Sequence, residues 1–341
     1  MSYFSDVERD LVVAARTVLA EGVVALDLVS HNGRDLPAWA PGSHVDLILA
    51  GDRQLGTERI ERQYSLCGDP ADRSTWRIAV LREDTGRGGS VRVHDEVKAG
   101  QRLRVRGPRN HFACEFVPGA AYRFVAGGIG ITPILAMVRA AAAAGVGWTL
   151  DYSGRSLSTM AFVDELRALD DGLGDGLGDG TGRVRLHPSD GGLRLDVVSF
   201  VDTVGGGDQV FACGPALLLD ALADGLAAAN RADALHVERF EAVEYGEPVW
   251  PEPFEVELAM TGDVVTVMPD QSVLEAIEEQ SPTAMVLSSC RRGTCGTCEV
   301  PVLEGEIEHR DSVLTPLERE QSVVMMVCVS RAACPRIVLD V

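Results

Sequence analysis

Four cysteines late in the sequence have the spacing of a metal-cluster site. Cys290, Cys295 and Cys298 follow the pattern C-x4-C-x2-C, and Cys328 follows after a longer gap. This is the spacing of a plant-type [2Fe–2S] site, in which three thiolates come from one loop and the fourth from elsewhere. The glycines between the first three cysteines allow the loop to wrap around the cluster and aim N–H groups at it. The sequence therefore predicts a one-electron carrier here.

A structural zinc site is the alternative interpretation of these cysteines. Zinc ribbons usually carry two short C-x-x-C knuckles, and this chain has one such pair. The spacing therefore favours iron and sulfur. Cys334 is a rival for the last ligand because it lies close to Cys328. The cysteines outside the pattern are predicted to be free thiols or small core residues: Cys67, Cys114, Cys213 and Cys334.

Length and composition bound the class of protein. A chain of 341 residues is expected to form two or three domains. No apolar run approaches the roughly 20 residues that a membrane span needs. The segment Met1 to Asp10 is polar and acidic and lacks the pattern of a secretory signal. Together with the cysteine usage, this predicts a cytoplasmic protein without membrane association.

The charge of the chain is strongly negative and unevenly distributed. The net charge is −20, which gives nucleic-acid binding no electrostatic support. From Glu241 onward there are 19 acidic and 6 basic residues, a net charge of −13. Such a region could steer toward a positively charged redox partner, or it could serve solubility alone. The sequence leaves both open.

The first part of the chain has the pattern of short β-strands. Turn signals such as Asn32-Gly33 and Pro41-Gly42 separate the strand candidates. Strands at this spacing predict a small antiparallel barrel over residues 1–116. The candidates are Leu11–Val18, Val23–Val29, Val45–Leu49 and Trp76–Val80.

In residues 117–240, strand patterns alternate with helix patterns. This alternation predicts an α/β domain with a parallel sheet and covering helices. The strand candidates are Tyr122–Ala126, Trp148–Tyr152, Val184–Pro188, Asp208–Ala212 and Ala234–Val237. The helix candidates are Ile134–Ala144, Ala161–Leu169 and Ala216–Ala229. A glycine–aspartate repeat at Asp171–Gly182 is predicted to be a flexible surface loop.

A proline-rich linker is predicted at 241–253, before a C-terminal domain at 254–341. Phe254–Met260 and Val264–Val267 are strand candidates in that domain. Ser272, followed three residues later by Glu275, forms a capping-box pattern that predicts a short helix running to Glu279.

Two glycine-containing loops point to a nucleotide. Gly127, Gly128, Gly130, Thr132 and Pro133 lie in one segment between a predicted strand and a helix, and such glycines permit a tight turn and close approach of a pyrophosphate. The third glycine of the dinucleotide fingerprint is missing, so this motif alone is weak. Support comes from a second loop at the end of another strand of the same sheet, Cys213, Gly214 and Pro215.

Two segments of the first domain could hold a phosphorylated heterocycle. Strand alternation places Arg62 and Tyr64 of Arg62-Gln63-Tyr64-Ser65 on one face, where an arginine can bind a phosphate and a tyrosine ring can contact a flat ring system. Gly86-Arg87-Gly88-Gly89-Ser90 is a plausible cradle of N–H groups with a guanidinium. A hairpin turn is the alternative for this second segment.

These motifs, together with Gly107-Pro108-Arg109-Asn110-His111-Phe112, follow one another in an order that resembles the phthalate dioxygenase reductase family, which includes the vanillate O-demethylase reductases. The resemblance spans almost the whole chain. It implies three domains in the order FMN-binding antiparallel β-barrel, NAD-binding α/β domain and plant-type ferredoxin with an α+β β-grasp fold.

The resemblance also implies roles for individual residues. Those at FMN would be Arg62, Gln63, Tyr64, Ser65, Ala79, Val80, Leu81, Arg87, Gly88, Gly89, Ser90, Thr132 and Phe240. Those at NAD would be Gly127, Gly128, Gly130, Thr132, Pro133, Arg155, Cys213, Gly214 and Pro215. The segment Cys328-Val329-Ser330-Arg331-Ala332 matches the family's last cluster ligand, which favours Cys328 over Cys334.

The implied function is a reductase that passes electrons from NADH through FMN to [2Fe–2S] and on to a terminal oxygenase of aromatic catabolism. NADH gives two electrons at once and a cluster accepts one, so a flavin is expected between them. No catalytic side chain is required, and His44, His94 and His111 are predicted to be structural. Arg155 could contact the 2′-phosphate of NADPH, but it also occurs in family members that use NADH, and NADH is predicted.

Three alternatives remain open at this point. One is a reductase of the same organisation that serves a cytochrome P450. Another is an electron-transfer subunit of dihydroorotate dehydrogenase, although that group lacks the Gly86–Ser90 pattern. The third is a redox sensor, which would not need two nucleotide-binding domains.

Overall fold

The computed structural model describes residues 7–49, 51, 59–117, 119–170 and 183–341. The chain divides into two compact units, Met1–Glu238 and Arg239–Val341. The predicted surface loop Asp171–Gly182 lies outside the described residues. Among the described residues, no helix is both long and apolar enough to cross a membrane.

The first unit begins with an antiparallel six-stranded sheet in the order β4-β3-β6-β1-β2-β5. An isolated bridge between Leu66 and Ile78 joins the two ends of the sheet and closes it into the predicted barrel. Inward-facing residues such as Leu26, Val45 and Trp76 are fully buried in its core. The strands are β1 Glu8–Ala20, β2 Val23–Ser30, β3 Ser43–Leu49, β4 Ile60–Ser65, β5 Thr75–Leu81 and β6 Arg102–Asn110, and helix α1 covers Gly89–Glu96.

The second part of this unit is a parallel five-stranded sheet in the order β11-β10-β7-β8-β9. Its strands are β7 Ala121–Gly127, β8 Gly147–Gly154, β9 Val184–Pro188, β10 Gln209–Cys213 and β11 Leu235–Glu238. Its helices are α2 Ile131–Ala144, α3 Val163–Leu169, α4 Val197–Thr203 and α5 Ala216–Ala228. The alternation seen in the sequence therefore gives the predicted α/β fold.

The order of this sheet creates a switch point. The chain first builds outward from β7 through β8 to β9, and then continues on the other side of β7 with β10 and β11. The loops that follow β7 and β10 therefore leave the sheet side by side, in opposite directions. In open α/β sheets, ligands bind in the crevice at such a point.

The unit Arg239–Val341 has a mixed sheet in the order β13-β12-β18-β14-β16 and a separate pair of β15 with β17. Strands β12 and β18 run parallel, whereas the remaining pairs are antiparallel. The strands are β12 Phe254–Leu258, β13 Val264–Val267, β14 Glu299–Glu304, β15 Ile307–Glu308, β16 Val324–Met326, β17 Arg331–Ala332 and β18 Arg336–Leu339. The helices are α6 Val273–Gln280 and α7 Pro316–Gln321. This is the predicted α+β fold.

Candidate functional site

The four predicted cluster ligands come together in the second unit. The Cys290 thiol forms hydrogen bonds with the thiols of Cys295 and Cys328, and the Cys328 thiol also forms one with that of Cys298. All four are buried, with at most 7% of the residue exposed. Cys328 follows β16, and the other three lie on the loop before β14. Three thiols of one loop and one from another segment thus form a single group.

The loop around these thiols depends on left-handed backbone conformations. Arg291, Gly293 and Gly296 have φ values of 54°, 68° and 70°. At Gly293, a side chain would also be blocked, because a Cβ atom would lie 2.6 Å from Cγ2 of Val329. The tight turn brings the backbone N–H of Arg292 to 3.3 Å from the Cys290 sulfur. N–H groups aimed at sulfur are the donors that stabilise a thiolate-bound cluster.

Hydrogen bonds among the thiols shift the pKa values of Cys290, Cys295 and Cys328 in different directions. Hydrogen bonds from Cys295 and Cys328 lower the pKa of Cys290. The hydrogen bond to Cys290 raises the pKa of Cys295, and hydrogen bonds to Cys290 and Cys298 raise that of Cys328. One thiolate is thus stabilised by its neighbours even without metal. The four thiols are nevertheless not arranged as ligands of one metal ion, since no three His, Cys, Asp or Glu side chains among the described residues have such an arrangement.

Cys334, the rival for the last ligand, lies in a different environment. Its sulfur lies 3.1 Å from the carbonyl oxygen of Arg336 and accepts a hydrogen bond from the N–H of Glu306 at 3.3 Å. Cys334 is also half-exposed, unlike the four grouped thiols. These contacts engage Cys334 with backbone groups, and the thiols of the cluster loop are close to Cys328 instead.

At the switch point of the parallel sheet, the two predicted nucleotide loops touch each other. A Cβ atom on Gly130 would lie 2.3 Å from the carbonyl oxygen of Cys213, and one on Gly127 would lie 2.6 Å from Cδ of Pro215. A Cβ atom on Gly214 would lie 3.0 Å from the backbone of Gly127. Three of the glycines are thus required by the contact between the loops. This reason differs from the predicted approach of a pyrophosphate.

Gly128 is the exception among these glycines. It has a φ of 53°, and a Cβ atom at this position would face open space, with nothing within 4 Å. It begins the 3-10 turn Gly128–Gly130, which leads directly into α2. Thr132 and Pro133 lie buried in the first turn of α2, where the Thr132 hydroxyl donates to the carbonyl of Ile129 at 3.0 Å. Gly128 is therefore the position in this loop that leaves room for a ligand.

Arg155 lies just beyond the carboxyl end of β8, next to the switch point, and is exposed. Its carbonyl accepts a hydrogen bond from the N–H of Asp190 at 2.9 Å, which fixes the backbone there. The position is the one at which dinucleotide-binding sheets contact the ribose and any phosphate on it. The structure thus places Arg155 on the predicted edge of the sheet.

In the barrel, the two predicted phosphate-binding segments are joined by Arg62. Its guanidinium donates to the carbonyl oxygens of Glu61 at 2.8 Å and Arg87 at 2.7 Å. Gly89 must be glycine because a Cβ atom would lie 2.5 Å from Cγ of Arg62. Gly88 has a φ of 77° and precedes α1. The segment is therefore the start of a helix and not a hairpin turn.

The N-terminus of α1 presents backbone N–H groups beside this arginine. Ser90 accepts a hydrogen bond from the N–H of Glu83 at 3.0 Å, which ties the helix start to the end of β5. Free N–H groups and the helix dipole together favour an anion at such a position. Ala79, Val80 and Leu81 lie in β5, the strand bridged to Leu66 where the barrel closes, and Ala79 and Val80 are buried.

Gln63 and Tyr64 have different surroundings on the same strand. The Gln63 amide donates to Asp46 at 2.7 Å, and this fully buried carboxylate also accepts from Arg106 at 2.9 Å and Arg109 at 2.8 Å. Gln63 thus joins β4 to a buried polar network of the barrel. Burial raises the pKa of Tyr64, so its hydroxyl stays neutral at physiological pH.

The residue that sequence reasoning missed is Glu238. Glu238 and Cys213 are register partners at the carboxyl ends of β11 and β10. The Glu238 carboxylate lies 3.5 Å from the Ser65 hydroxyl and 4.0 Å from the Cys213 sulfur. It therefore joins the predicted flavin strand to the predicted nucleotide loop. The available signal was an acidic residue ending a strand of the same sheet as Cys213.

Phe240 is 43% exposed and belongs to the unit Arg239–Val341. Its predicted place beside the flavin stays a prediction.

Burial raises the pKa of Glu238 to about 8, whereas its ordinary value is 4.5. The folded protein therefore holds this proton more tightly than the unfolded chain. The contribution of Glu238 to the free energy of unfolding is therefore largest below pH 4.5 and is lost as the pH rises to about 8. Over this pH range, we expect the free energy of unfolding to fall by about 1–3 kcal/mol less in Glu238→Gln than in the wild type. This amount allows for the partial exposure of Glu238 to water. Thermal melts of both proteins from pH 5 to 8.5 check this, and parallel curves would contradict it.

Comparison with known proteins identifies the family to which this chain is similar. Residues 256–333 match the family model described as "2Fe-2S iron-sulfur cluster binding domain". A putative toluene-4-sulfonate monooxygenase system reductase subunit of Comamonas testosteroni is 41% identical, over 96% of this chain and 98% of that protein. The phthalate 4,5-dioxygenase oxygenase reductase subunit of Pseudomonas putida is 37% identical, over 97% of this chain and 96% of that one.

Solved structures of related reductases match the fold of this chain. Phthalate dioxygenase reductase, described as a modular structure for electron transfer from pyridine nucleotides to [2Fe–2S], matches with a TM-score of 0.65 and 32% identity and covers 98% of both chains. An intact type IV self-sufficient cytochrome P450 monooxygenase matches with a TM-score of 0.85 and 41% identity, over 98% of this chain and 41% of that longer one. The chain belongs to the phthalate dioxygenase reductase family, the electron-transfer reductase components of multicomponent oxygenase systems.

Proposed function

We propose that this chain takes electrons from NADH and delivers them through FMN and a [2Fe–2S] cluster to a separate terminal oxygenase. One observation carries the proposal: Glu238 joins the barrel strand that ends at Ser65 to the nucleotide loop at Cys213. A flavin on the barrel and a nicotinamide at the switch point would then be neighbours. FMN, when bound, supplies the change from hydride transfer to single-electron transfer. Side chains of the protein bind, orient and exclude water.

For FMN, we propose that the start of α1 and the arginines beside it hold the phosphate, while β4 and β5 hold the ring system. Gly88, Gly89 and Ser90 would supply N–H groups, and Arg62 and Arg87 would supply charge. The other proposed contacts are Gln63, Tyr64, Ser65, Ala79, Val80, Leu81, Thr132 and Phe240. The fit rests on the left-handed Gly88 and the close approach of Gly89 to Arg62.

For NADH, we propose that the crevice between the loops after β7 and β10 holds the pyrophosphate and nicotinamide. The open space at Gly128 supports this placement. The proposed contacts are Gly127, Gly128, Gly130, Thr132, Pro133, Arg155, Cys213, Gly214 and Pro215. For the cluster, the proposed ligands are Cys290, Cys295, Cys298 and Cys328.

We also propose the domain limits 1–116, 117–240 and 254–341, with 241–253 as the linker.

A Rieske-type oxygenase is the proposed partner. A cytochrome P450 is the second candidate, because the fused P450 monooxygenase matches this chain well. The cytoplasm is the proposed compartment, since none of the eight cysteines forms a disulfide and a thiolate-bound cluster suits a reducing environment.

Anaerobic mixing with NADH tests the proposal. We expect the purified, reconstituted protein to lose its flavin absorbance first and its cluster absorbance second, and to gain the paramagnetic signal of a reduced [2Fe–2S] site. Cytochrome c reduction should follow, with NADH preferred over NADPH. A flavin that bleaches while the cluster stays oxidised would contradict the electron path. A protein that stays inert to NADH would contradict the function.

A further inference from the structure

The positive charges of the unit Arg239–Val341 are concentrated at one place. From Glu241 onward the sequence holds 6 basic residues, all arginines, against 19 acidic residues. Four of the six line one cavity of about 460 Å³, which the proposed ligand Cys328 lines as well. These arginines are Arg291, Arg292, Arg310 and Arg331. Two acidic residues, Asp270 and Glu275, line the same cavity, so its lining carries a net positive charge within an acidic unit.

Two of these arginines already have carboxylate partners. Arg291 forms an ion pair with Glu278, and Nε of Arg310 lies 2.9 Å from the carboxylate of Glu308. The Arg291–Glu278 pair is exposed, and such pairs contribute little, whereas the Arg310–Glu308 pair is mostly buried. They account for half of the positive charge around the cavity.

Arg331 is different because it is buried and pairs with no carboxylate among the described residues. Only 6% of the residue is exposed. Its two terminal nitrogens donate to the carbonyl oxygens of Gln271 at 2.7 Å and Met268 at 3.2 Å, and the guanidinium lies 5.2 Å from the ring centroid of Phe254. Its Nε is buried and has no hydrogen-bond partner in the part of the chain that the structure describes. Carbonyl dipoles and a ring face satisfy part of a buried charge but do not neutralise it.

Three acidic residues lie near Arg331, and none of them forms an ion pair with it. Glu308 is its register partner between β15 and β17, but that carboxylate binds Arg310. Glu275, which lines the cavity, accepts a hydrogen bond from the backbone of Ser272 at 2.9 Å. Among the residues the structure describes, no carboxylate oxygen lies within 4.0 Å of the Arg331 nitrogens. Asp270, which lines the cavity, and Glu308 attract the Arg331 guanidinium only from beyond ion-pair distance. A buried cation compensated only at a distance is costly, and a bound anion in the cavity would offset that cost.

The cluster proposed above would be that anion. Four thiolates outweigh the positive charge of the iron–sulfur core, so the group is negative when oxidised and gains one more negative charge on reduction. Arg331 follows the ligand Cys328 by three residues and lines the same cavity. Its bonds to the loop 268–271 hold it there, and a buried charge is screened much less by salt than a surface one.

We propose that Arg331 is the internal counter-charge of the cluster and raises its reduction potential. The inference rests on the proposed cluster ligands. A fixed positive charge stabilises the reduced cluster more than the oxidised one, because reduction adds a negative charge. By raising the reduction potential, Arg331 would keep the cluster able to accept an electron from the flavin.

The test is an equilibrium titration of the cluster with dithionite and mediators, followed by paramagnetic resonance. At the potential at which half of the wild-type cluster is reduced, we expect Arg331→Gln to lower the ratio of reduced to oxidised cluster about tenfold, which is about 59 mV for one electron. Arg331→Lys keeps the charge but cannot reproduce both carbonyl contacts, and it should change the ratio less than about threefold. Iron content and the shape of the signal show that each variant holds an intact cluster.

Arg336→Gln is the matched control, because Arg336 is exposed on β18 and pairs with Glu257. Its ratio should equal that of the wild type. An unchanged ratio in Arg331→Gln would overturn the inference. Equal losses in the Gln and Lys variants would also overturn it, since they would assign Arg331 a purely structural role. The titration does not use NADH, so it tests the role of Arg331 independently of the electron path. Failure of NADH to reduce the wild-type cluster would contradict the proposed function but not the inference about Arg331.

Discussion

Cys328→Ser is expected to abolish the [2Fe–2S] cluster and to lower NADH-dependent cytochrome c reduction at least about 100-fold. Cys328 is the one ligand that does not come from the loop of the other three, and its thiol is close to those of Cys290 and Cys298. Without it, a second iron would have only one thiolate. Reduction of ferricyanide, which can take electrons from the flavin, should stay within about twofold of the wild type. Iron content, the paramagnetic signal and the two steady-state rates are the measurements.

Cys334→Ser is the matched control for this prediction. Its sulfur interacts with the backbone of Arg336 and Glu306, so loss of the thiol should leave the cluster and both rates unchanged. If Cys334→Ser loses the cluster while Cys328→Ser keeps it, the ligand assignment is wrong. If ferricyanide reduction falls with the cluster in Cys328→Ser, the flavin does not act upstream of it.

Elements with strong local signals could be predicted from the sequence. The capping box of Ser272 and Glu275 forms in both directions, with hydrogen bonds of 3.2 and 2.9 Å, and α6 starts where it predicts. Strands β9 and β13 have the predicted bounds because a short apolar alternation lies between clear turns. In such places, the local pattern and the tertiary structure favour the same conformation.

Helices α1 and α4 are not predicted by the sequence, and each lacks a strong signal. Helix α1 follows Gly88 in a left-handed conformation and has no side-chain cap, and only Gly89 and Val93 are buried. It has no apolar stripe to detect. Helix α4 has a good cap in Asp196, but it is only seven residues long and two of them are buried. Both helices are held by packing against the rest of the unit, which the local sequence does not encode.

Candidate site residues could be proposed from the sequence where one segment carries the motif, but not where distant segments meet. Three of the cluster cysteines, the nucleotide loop after β7 and the start of α1 each lie within a short segment, whereas Cys328 was assigned from the resemblance of the segment around it. Glu238 acquires its role only because the fold brings it to Ser65, 173 residues away. The glycines show the same limit. In the sequence, the glycines indicated a nucleotide-binding turn. Only the structure shows that Gly130 is needed for contact with Cys213 and that Gly128 faces open space.

Gly130→Ala is expected to destabilise the unit Met1–Glu238 by about 2–4 kcal/mol and to raise the KM for NADH at least about tenfold. The added methyl group would lie 2.3 Å from the carbonyl oxygen of Cys213, which is backbone and cannot rotate away. The two loops must therefore separate, and the crevice between β7 and β10 changes shape. Thermal melts without nucleotide and steady-state kinetics measure the two effects.

Gly128→Ala separates packing from ligand approach in the same loop. Nothing lies within 4 Å of the added methyl group, and the φ of 53° adds a strain of about 1–2 kcal/mol. We expect a smaller loss of stability than in Gly130→Ala but a comparable rise in the KM for NADH, because the methyl group fills space that we assign to the pyrophosphate. An unchanged KM in Gly128→Ala would place the nucleotide elsewhere. Equal stability of the two variants would contradict the packing role of Gly130.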